Sequence, residues 1–250
     1  GAGTNRINIY VVRQATEGLA QLIDSKGEEA KKRGVAIAYD SRHFSPEFAF
    51  ESAQVLAAHG IKSYVFESLR PTPELSFAVR HLHTFAGIMV TASHNPAPFN
   101  GYKVYGEDGG QMPPADADAL TDYIRAIENP FTVQLADLEE SKASGLIEVI
   151  GENVDAEYLK EVKGVNINQD LINEYGRDMK IVYTPLHGTG EMLARRALAQ
   201  AGFEAVQVVE AQAVPDPDFS TVKSPNPENQ EAFALAEELG RKVDADVLVA

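Results

Sequence analysis

The residues best suited to chemistry lie in one short run, Gly87-Ile88-Met89-Val90-Thr91-Ala92-Ser93-His94-Asn95-Pro96. An apolar stretch leads directly into small and polar residues and then into Pro96, which continues neither a helix nor a central strand. Ser93 is therefore expected just past a strand end, on a loop with a fixed exit. A serine so placed can exchange a phosphoryl group under three conditions: it is exposed, donors hold the phosphate oxygens, and a cation offsets about two negative charges. Backbone amides of the loop can supply donors, with the His94 and Asn95 side chains beside them. Ten residues beyond Ser93, the run Asn100-Gly101-Tyr102-Lys103-Val104-Tyr105 sets a lysine among two tyrosines and a valine. A lysine used as a base must fall from about 10.4 toward about 7–8, through desolvation or a neighbouring cation; such neighbours permit that.

Plainer readings of the same residues stand beside this one. A Ser-His-Asn-Pro tetrapeptide taken alone is most often an ordinary turn. Adjacent serine and histidine seldom reach nucleophile–base geometry, and the chain has no Gly-x-Ser-x-Gly elbow. A lone lysine among tyrosines is usually a snorkelling surface side chain. Arg42 can reach a phosphate or pair with a structural carboxylate. His187 either faces a cleft or belongs to a turn that starts a helix; Gly188-Thr189-Gly190 after it lacks a full phosphate-loop or dinucleotide fingerprint.

The surrounding pattern supplies the elements that must position these residues. Apolar positions from Ile7 to Ile23 recur at helical spacing, with Thr4 or Asn5 as the expected cap. Val35–Tyr39 reads as a buried strand, and Pro46 opens a helix through His59. Ile61–Phe66 is a second strand, Pro73–His81 a helix and Gly87–Thr91 a third strand, before a helix over Pro113–Ile127. The stretch from Asn129 to Gly151 is weakly patterned, a connector with one strand over Leu146–Ile150. The pattern then restarts. Helices are expected over Asp155–Val162, Gln169–Tyr175, Gly190–Ala201 and Asn229–Gly240, and strands over Lys180–Tyr183, Glu204–Val209 and Val247–Val249. Such alternation implies two consecutive α/β domains, 1–150 and 151–250, each a mainly parallel mixed sheet flanked by helices.

Composition narrows the partners. The 250 residues carry 22 basic and 37 acidic side chains, a net charge of −15. That field repels nucleic acid and anionic membranes, so a phosphate site here needs a local concentration of donors and cations. There is no cysteine for a disulfide or thiolate metal site, no apolar run of about 18 residues, and no secretory pattern at Gly1–Arg6. A cytoplasmic location is expected.

The run Thr91-Ala92-Ser93-His94-Asn95-Pro96, followed by Phe99-Asn100-Gly101-Tyr102-Lys103, resembles the active-serine loop of the α-D-phosphohexomutases. Tyr39-Asp40-Ser41-Arg42, Thr184-Pro185-Leu186-His187-Gly188-Thr189-Gly190, Pro215-Asp216-Pro217-Asp218-Phe219 and Ser224-Pro225-Asn226-Pro227-Glu228 resemble further motifs of that family, and the opening residues resemble its phosphoglucomutase branch. The resemblance covers essentially the whole chain, and the first two of the family's four domains.

It implies an isomerase that moves phosphate between the 1- and 6-hydroxyls of a hexose, glucose being the first choice, through a sugar bisphosphate such as glucose 1,6-bisphosphate. Ser93 would carry the phosphate, Lys103 would be the general base, and His94 would orient substrate or phosphate; Asn95, Asn100 and Arg42 would contact substrate. Mg2+ would be held by the Ser93 phosphate and three aspartates of an Asp-x-Asp-x-Asp-Arg loop. In the family that loop follows the strand matching Val247–Val249, and it is not in this sequence; Asp244 and Asp246 precede the strand and do not replace it. A glycine-rich segment expected ahead of Gly1 and the sugar-selecting and phosphate-binding loops of the later domains are absent too, so little turnover is expected of these residues alone. In-family rivals are phosphopentomutase, phosphomannomutase and phosphoglucosamine mutase. Outside the mutases stand a non-catalytic phosphosugar-binding protein and an acid or alkaline phosphatase that works through a phosphoserine.

Overall fold

Two parallel-stranded sheets organise the chain. The structure, a computed structural model, describes residues 6–250. Its elements in order are helices α1 (Ile9–Lys26) and α2 (Glu28–Arg33), strand β1 (Val35–Tyr39), α3 (Ser45–Ala58), β2 (Ser63–Phe66), α4 (Thr72–His81), β3 (Ala86–Val90), β4 (Tyr102–Tyr105), α5 (Pro114–Ala126), α6 (Leu138–Ala143) and β5 (Ile147–Ile150). There follow α7 (Glu152–Gly164), α8 (Gln169–Leu171), β6 (Ile181–Tyr183), α9 (Glu191–Ala201), β7 (Val206–Val208), α10 (Glu210–Ala213), α11 (Ala234–Val243) and β8 (Val247–Val249).

The first sheet has the order β4-β3-β1-β2-β5, parallel except for the β3–β4 pair. The second has the order β7-β6-β8, with all three described strands parallel. Every residue of β1 and β3 is buried, as expected where helices cover both faces of a parallel sheet. Leu19 and Ile23 of α1 join Val35, Ile37, Ile88 and Val90 in one fully buried core, each such side chain contributing roughly 1.5–3 kcal/mol by burial. Gly34 turns the chain from α2 into β1 at φ 71°, and a Cβ there would collide with the Lys62 carbonyl.

By packing, the chain divides into two units. Of the described residues, one comprises 6–40, 44–92 and 99–151; the other comprises 41–43, 93–98 and 152–250. Thus Arg42 and the serine loop belong with the second unit, although each follows a strand of the first.

Several element boundaries differ from the sequence pattern, for local reasons. The expected caps Thr4 and Asn5 lie outside the described residues; Asn8 caps α1, its side-chain oxygen accepting the Tyr10 and Val11 N–H groups at 2.9 and 3.0 Å. The weakly patterned connector holds a 3-10 turn (Pro130–Thr132), α6 and β5. There Asp137 caps α6 by accepting the Glu140 N–H at 2.9 Å, and β5 pairs with β2 although only its end residues Ile147 and Ile150 are buried. The helix expected over Gln169–Tyr175 relaxes after Leu171 into a π turn, Ile172–Gly176. That expected over Asn229–Gly240 starts as a 3-10 turn, Gln230–Phe233, ahead of α11.

Candidate active-site loop

Parallel register sets the height at which the key strands end. Tyr39 of β1 lies opposite Val90 of β3, so Asp40 and Thr91 leave the sheet side by side at its carboxyl edge, where open α/β sheets place their ligands. The Asp40 carboxylate is largely buried and accepts the Ser45 hydroxyl at 2.7 Å and the Thr91 hydroxyl at 2.6 Å. Ser45 Oγ in turn accepts the Asn100 amide at 2.9 Å, and Asn100 Oδ1 accepts the Gly101 N–H at 2.8 Å. The Thr91 N–H donates to the Gly101 carbonyl at 3.0 Å. Gly101 has to be glycine for this approach, because a Cβ there would lie 2.6 Å from the Thr91 carbonyl oxygen. Hydrogen bonds to a carboxylate are the strong ones in such a set, and Asn100 is held by Ser45 and its own following amide.

In the second unit, Arg42 is only 2% exposed. Its Nη2 donates to the Ser93 carbonyl at 2.8 Å and the Asn95 carbonyl at 2.6 Å, and its Nη1 donates to the Pro96 carbonyl at 3.0 Å. The guanidinium lies 5.1 Å over the Phe219 ring, a geometry in which an aromatic face attracts a cation. Ser93 is exposed, with φ 56°. That left-handed conformation costs a non-glycine residue about 1–3 kcal/mol and persists only where surroundings enforce it.

Phe219, itself at φ 50°, is carried by a tight turn. Hydrogen bonds from the Ser220 hydroxyl (2.5 Å), the Ser220 N–H (2.8 Å) and the Asp218 N–H (2.9 Å) hold the Asp216 carboxyl down at about 2. His187 is also buried and left-handed, at φ 61°. Its Nδ1 lies 2.9 Å from the Val214 carbonyl and its Nε2 2.7 Å from the Thr221 hydroxyl, which ties both ends of the Phe219 turn to the loop before α9.

His94 is exposed and makes no hydrogen bond or ion pair among the described residues. Lys103 sits on β4 opposite Met89 of β3. Strand alternation puts it on the face of Tyr105, away from Tyr102 and Val104, which pack on the core. Tyr102 bonds Thr16 at 2.9 Å; burial nonetheless pushes its hydroxyl well above the usual tyrosine range. Lys103 likewise forms no ion pair or hydrogen bond among the described residues.

The structure thus joins Ser93, Asn95 and Arg42 in one hydrogen-bonded cluster, and joins Asn100 to Ser45. Asp40, Thr91 and Ser45 had escaped the sequence reading as a network, though one signal was available: an acidic residue directly follows an all-apolar strand whose neighbour ends in threonine. Phe219 gave none, since nothing in its spacing points to Arg42. As to magnesium, no group of three or more His, Cys, Asp or Glu is placed to hold an ion among the described residues. The described residues therefore do not fit a magnesium site.

Fold and loop together define an α/β protein in which an exposed serine follows, in sequence, a buried strand of a mainly parallel sheet. The model for phosphoglucomutase/phosphomannomutase α/β/α domain I matches residues 1–131, and that for domain II matches residues 156–250. The chain belongs to the phosphoglucomutase/phosphomannomutase family. It is 40% identical over all 250 residues to a phosphoglucomutase of Staphylococcus epidermidis and 39% identical to one of Staphylococcus haemolyticus, covering 44% of each. The chain therefore spans less than half the length of these relatives. Among solved structures, a phosphoglucomutase/phosphomannomutase family protein of Burkholderia thailandensis superposes with a TM-score of 0.71 at 20% identity, covering 99% of this chain and 49% of that one; this likeness concerns the fold.

Proposed function

We propose that the full-length product containing this chain is a phosphohexomutase that interconverts hexose 1-phosphate and hexose 6-phosphate, with glucose as the sugar, through a phosphoserine at Ser93. The observation carrying this reading is the exposed Ser93, held left-handed on a loop whose carbonyls are tied down by Arg42. Family membership and the 38–40% identity to proteins named phosphoglucomutase support it.

In the forward step the oxygen of a free sugar hydroxyl attacks the phosphorus on Ser93. The new P–O bond forms as the Oγ–P bond breaks; the hydroxyl proton passes to Lys103, which delivers it to the departing Ser93 Oγ. The sugar bisphosphate, glucose 1,6-bisphosphate, then reorients and returns its other phosphate to Ser93 by the reverse sequence, so phosphate has moved along the sugar without net hydrolysis. His94 and the Asn95 side chain, both exposed on the loop, orient the phosphate or sugar. Asn100, whose side chain also fixes Gly101, contacts the sugar. Magnesium, when bound to the full-length product, would neutralise charge on the phosphoryl group.

We place the domain boundary at 150/151, and expect the 250 residues alone to turn over little sugar phosphate, since they span 44% of the relatives' length. The partner is a phosphosugar rather than nucleic acid or membrane, given a net charge of −15, and the compartment is the cytoplasm. No described helix is long and apolar enough to cross a membrane.

The test is phosphosite mapping by mass spectrometry on the full-length product, treated with magnesium and glucose 1,6-bisphosphate beside a Ser93→Ala control. One phosphate on Ser93, absent from the control, together with sugar isomerisation, is the expected result. A folded protein that stays unphosphorylated overturns the reading in favour of a phosphosugar-binding protein. Phosphate release in excess of isomerised sugar turns it toward a phosphatase.

A further inference from the structure

Three carbonyls of the serine loop, those of Ser93, Asn95 and Pro96, converge on one buried guanidinium at 2.8, 2.6 and 3.0 Å. Peptide bonds here are trans, and in a planar trans peptide the C=O of one residue and the N–H of the next point in opposite directions. Turning the Ser93 carbonyl onto Arg42 therefore turns the His94 N–H away from it. Turning the Pro96 carbonyl inward does the same to the Ala97 N–H. The remaining carbonyl, of Asn95, precedes Pro96, which has no N–H to direct. Neither the His94 nor the Ala97 amide donates a hydrogen bond among the described residues. The loop thus has its carbonyls on a cation and two open donors facing the other way.

From this geometry we infer that Arg42 is a positioning residue for the phosphoserine: it draws the loop carbonyls inward so that the His94 and Ala97 amides donate to a phosphomonoester dianion on Ser93. The inference rests on the reading that Ser93 carries phosphate. Arg42 itself does not meet the phosphate, because both of its terminal nitrogens are already engaged with carbonyls and the guanidinium lies against Phe219. Arginine suits the task where lysine does not. A planar fork of donors can bind several fixed carbonyls edge-on while its face rests on an aromatic ring, whereas an ammonium is a point charge on a flexible stem. The same clamp keeps Ser93 in its left-handed conformation, since its carbonyl is one of those held.

Three forms of the full-length product test this: wild type, Arg42→Lys and Arg42→Ala. Glucose 1,6-bisphosphate serves as phosphoryl donor, and kcat and KM are measured for the sugar monophosphate. A misplaced reacting group costs on the order of 100-fold in rate. Arg42→Lys is accordingly expected to lower kcat by about 100-fold, with KM moved by less than about threefold. Added guanidinium ion is expected to restore part of the loss in Arg42→Ala. Wild-type kcat in Arg42→Lys overturns the inference.

Should the variants not fold, wild-type protein decides by NMR. The His94 and Ala97 amide protons are expected to move downfield when Ser93 is phosphorylated, or when inorganic phosphate is titrated into the dephosphorylated protein. Phosphorylated Ser93 with both amides unmoved removes the clamp and leaves the phosphoserine reading intact. Amides that respond to inorganic phosphate in a protein that never phosphorylates Ser93 keep the clamp and remove the reading.

Discussion

The Thr91 hydroxyl donates to Asp40 Oδ2 at 2.6 Å, joining the residues that leave β3 and β1 at the same height. Because Asp40 also receives Ser45 at 2.7 Å, one buried carboxylate fixes the exits of two strands and the start of α3. Asp40→Ala leaves two buried hydroxyls without their acceptor. With a hydrogen bond to a charged group worth roughly 1.5–3 kcal/mol, the loss of stability is expected at about 3 kcal/mol. Urea unfolding checks it, and an unchanged midpoint would show that water replaces the carboxylate.

Ser93 sets stability against function. Replacing it with glycine removes the left-handed penalty of about 1–2 kcal/mol, partly offset by the freer unfolded chain. Ser93→Gly is expected to unfold at a higher temperature than wild type, by up to about 1 kcal/mol in stability, while accepting no phosphate. A variant less stable than wild type would mean that the hydroxyl, rather than the backbone, holds the loop.

Lys103 tests the proposed base. Lys103→Met keeps the length of the side chain and removes the amine. Single-turnover discharge of phosphorylated Ser93 to a sugar monophosphate is expected to slow by about 100-fold or more, the usual worth of a positioned acid–base group, with the phosphoserine still formed on long incubation. Discharge at the wild-type rate would remove Lys103 from the proton transfer.

His59 makes stability depend on pH away from the serine loop. Burial lowers its pKa, but hydrogen bonds to Glu17 at 2.9 Å and Asp24 at 2.6 Å outweigh this, and the net shift is upward. Lys31 also faces Asp24, at 3.2 Å. A raised folded-state pKa means that the contribution is complete below the unfolded value of about 6.5 and is lost as pH rises through the folded value. The melting-temperature gap between wild type and His59→Gln is therefore expected to be widest near pH 5.5 and to narrow toward pH 8.5. A gap that widens with pH would reverse the assigned sign.

The strands were legible where burial on both faces made the sequence continuously apolar. Val35–Tyr39 lies in the structure where its pattern puts it, and Ala86–Val90 shifts by one residue. Within residues 129–151 the strand ending at Ile150 was legible and begins one residue later than its pattern, whereas the 3-10 turn Pro130–Thr132 and the six-residue α6 are too short to show a period. Within the loop, Ser93 could be singled out because Pro96 and the preceding strand constrain it locally. The attachment of Arg42 could not. It sits 51 residues before Ser93 in sequence, and an arginine after a strand carries no mark separating a phosphate ligand from a clamp on carbonyls. Phe219, further away still, became meaningful only once Arg42 was seen against its ring.

The antiparallel pairing of β4 with β3 has a consequence in arithmetic. Lys103 and Tyr102 occupy opposite faces of one strand, and the Thr91–Gly101 hydrogen bond fixes the count of residues between the two strands. Adding or removing a single residue after Gly101 would exchange the faces of the lysine and the tyrosine, burying an amine and exposing a phenol. Two residues would restore them. Length variation between Gly101 and Lys103 is therefore tolerable only in even steps, a parity rule that can be checked by counting in any related chain.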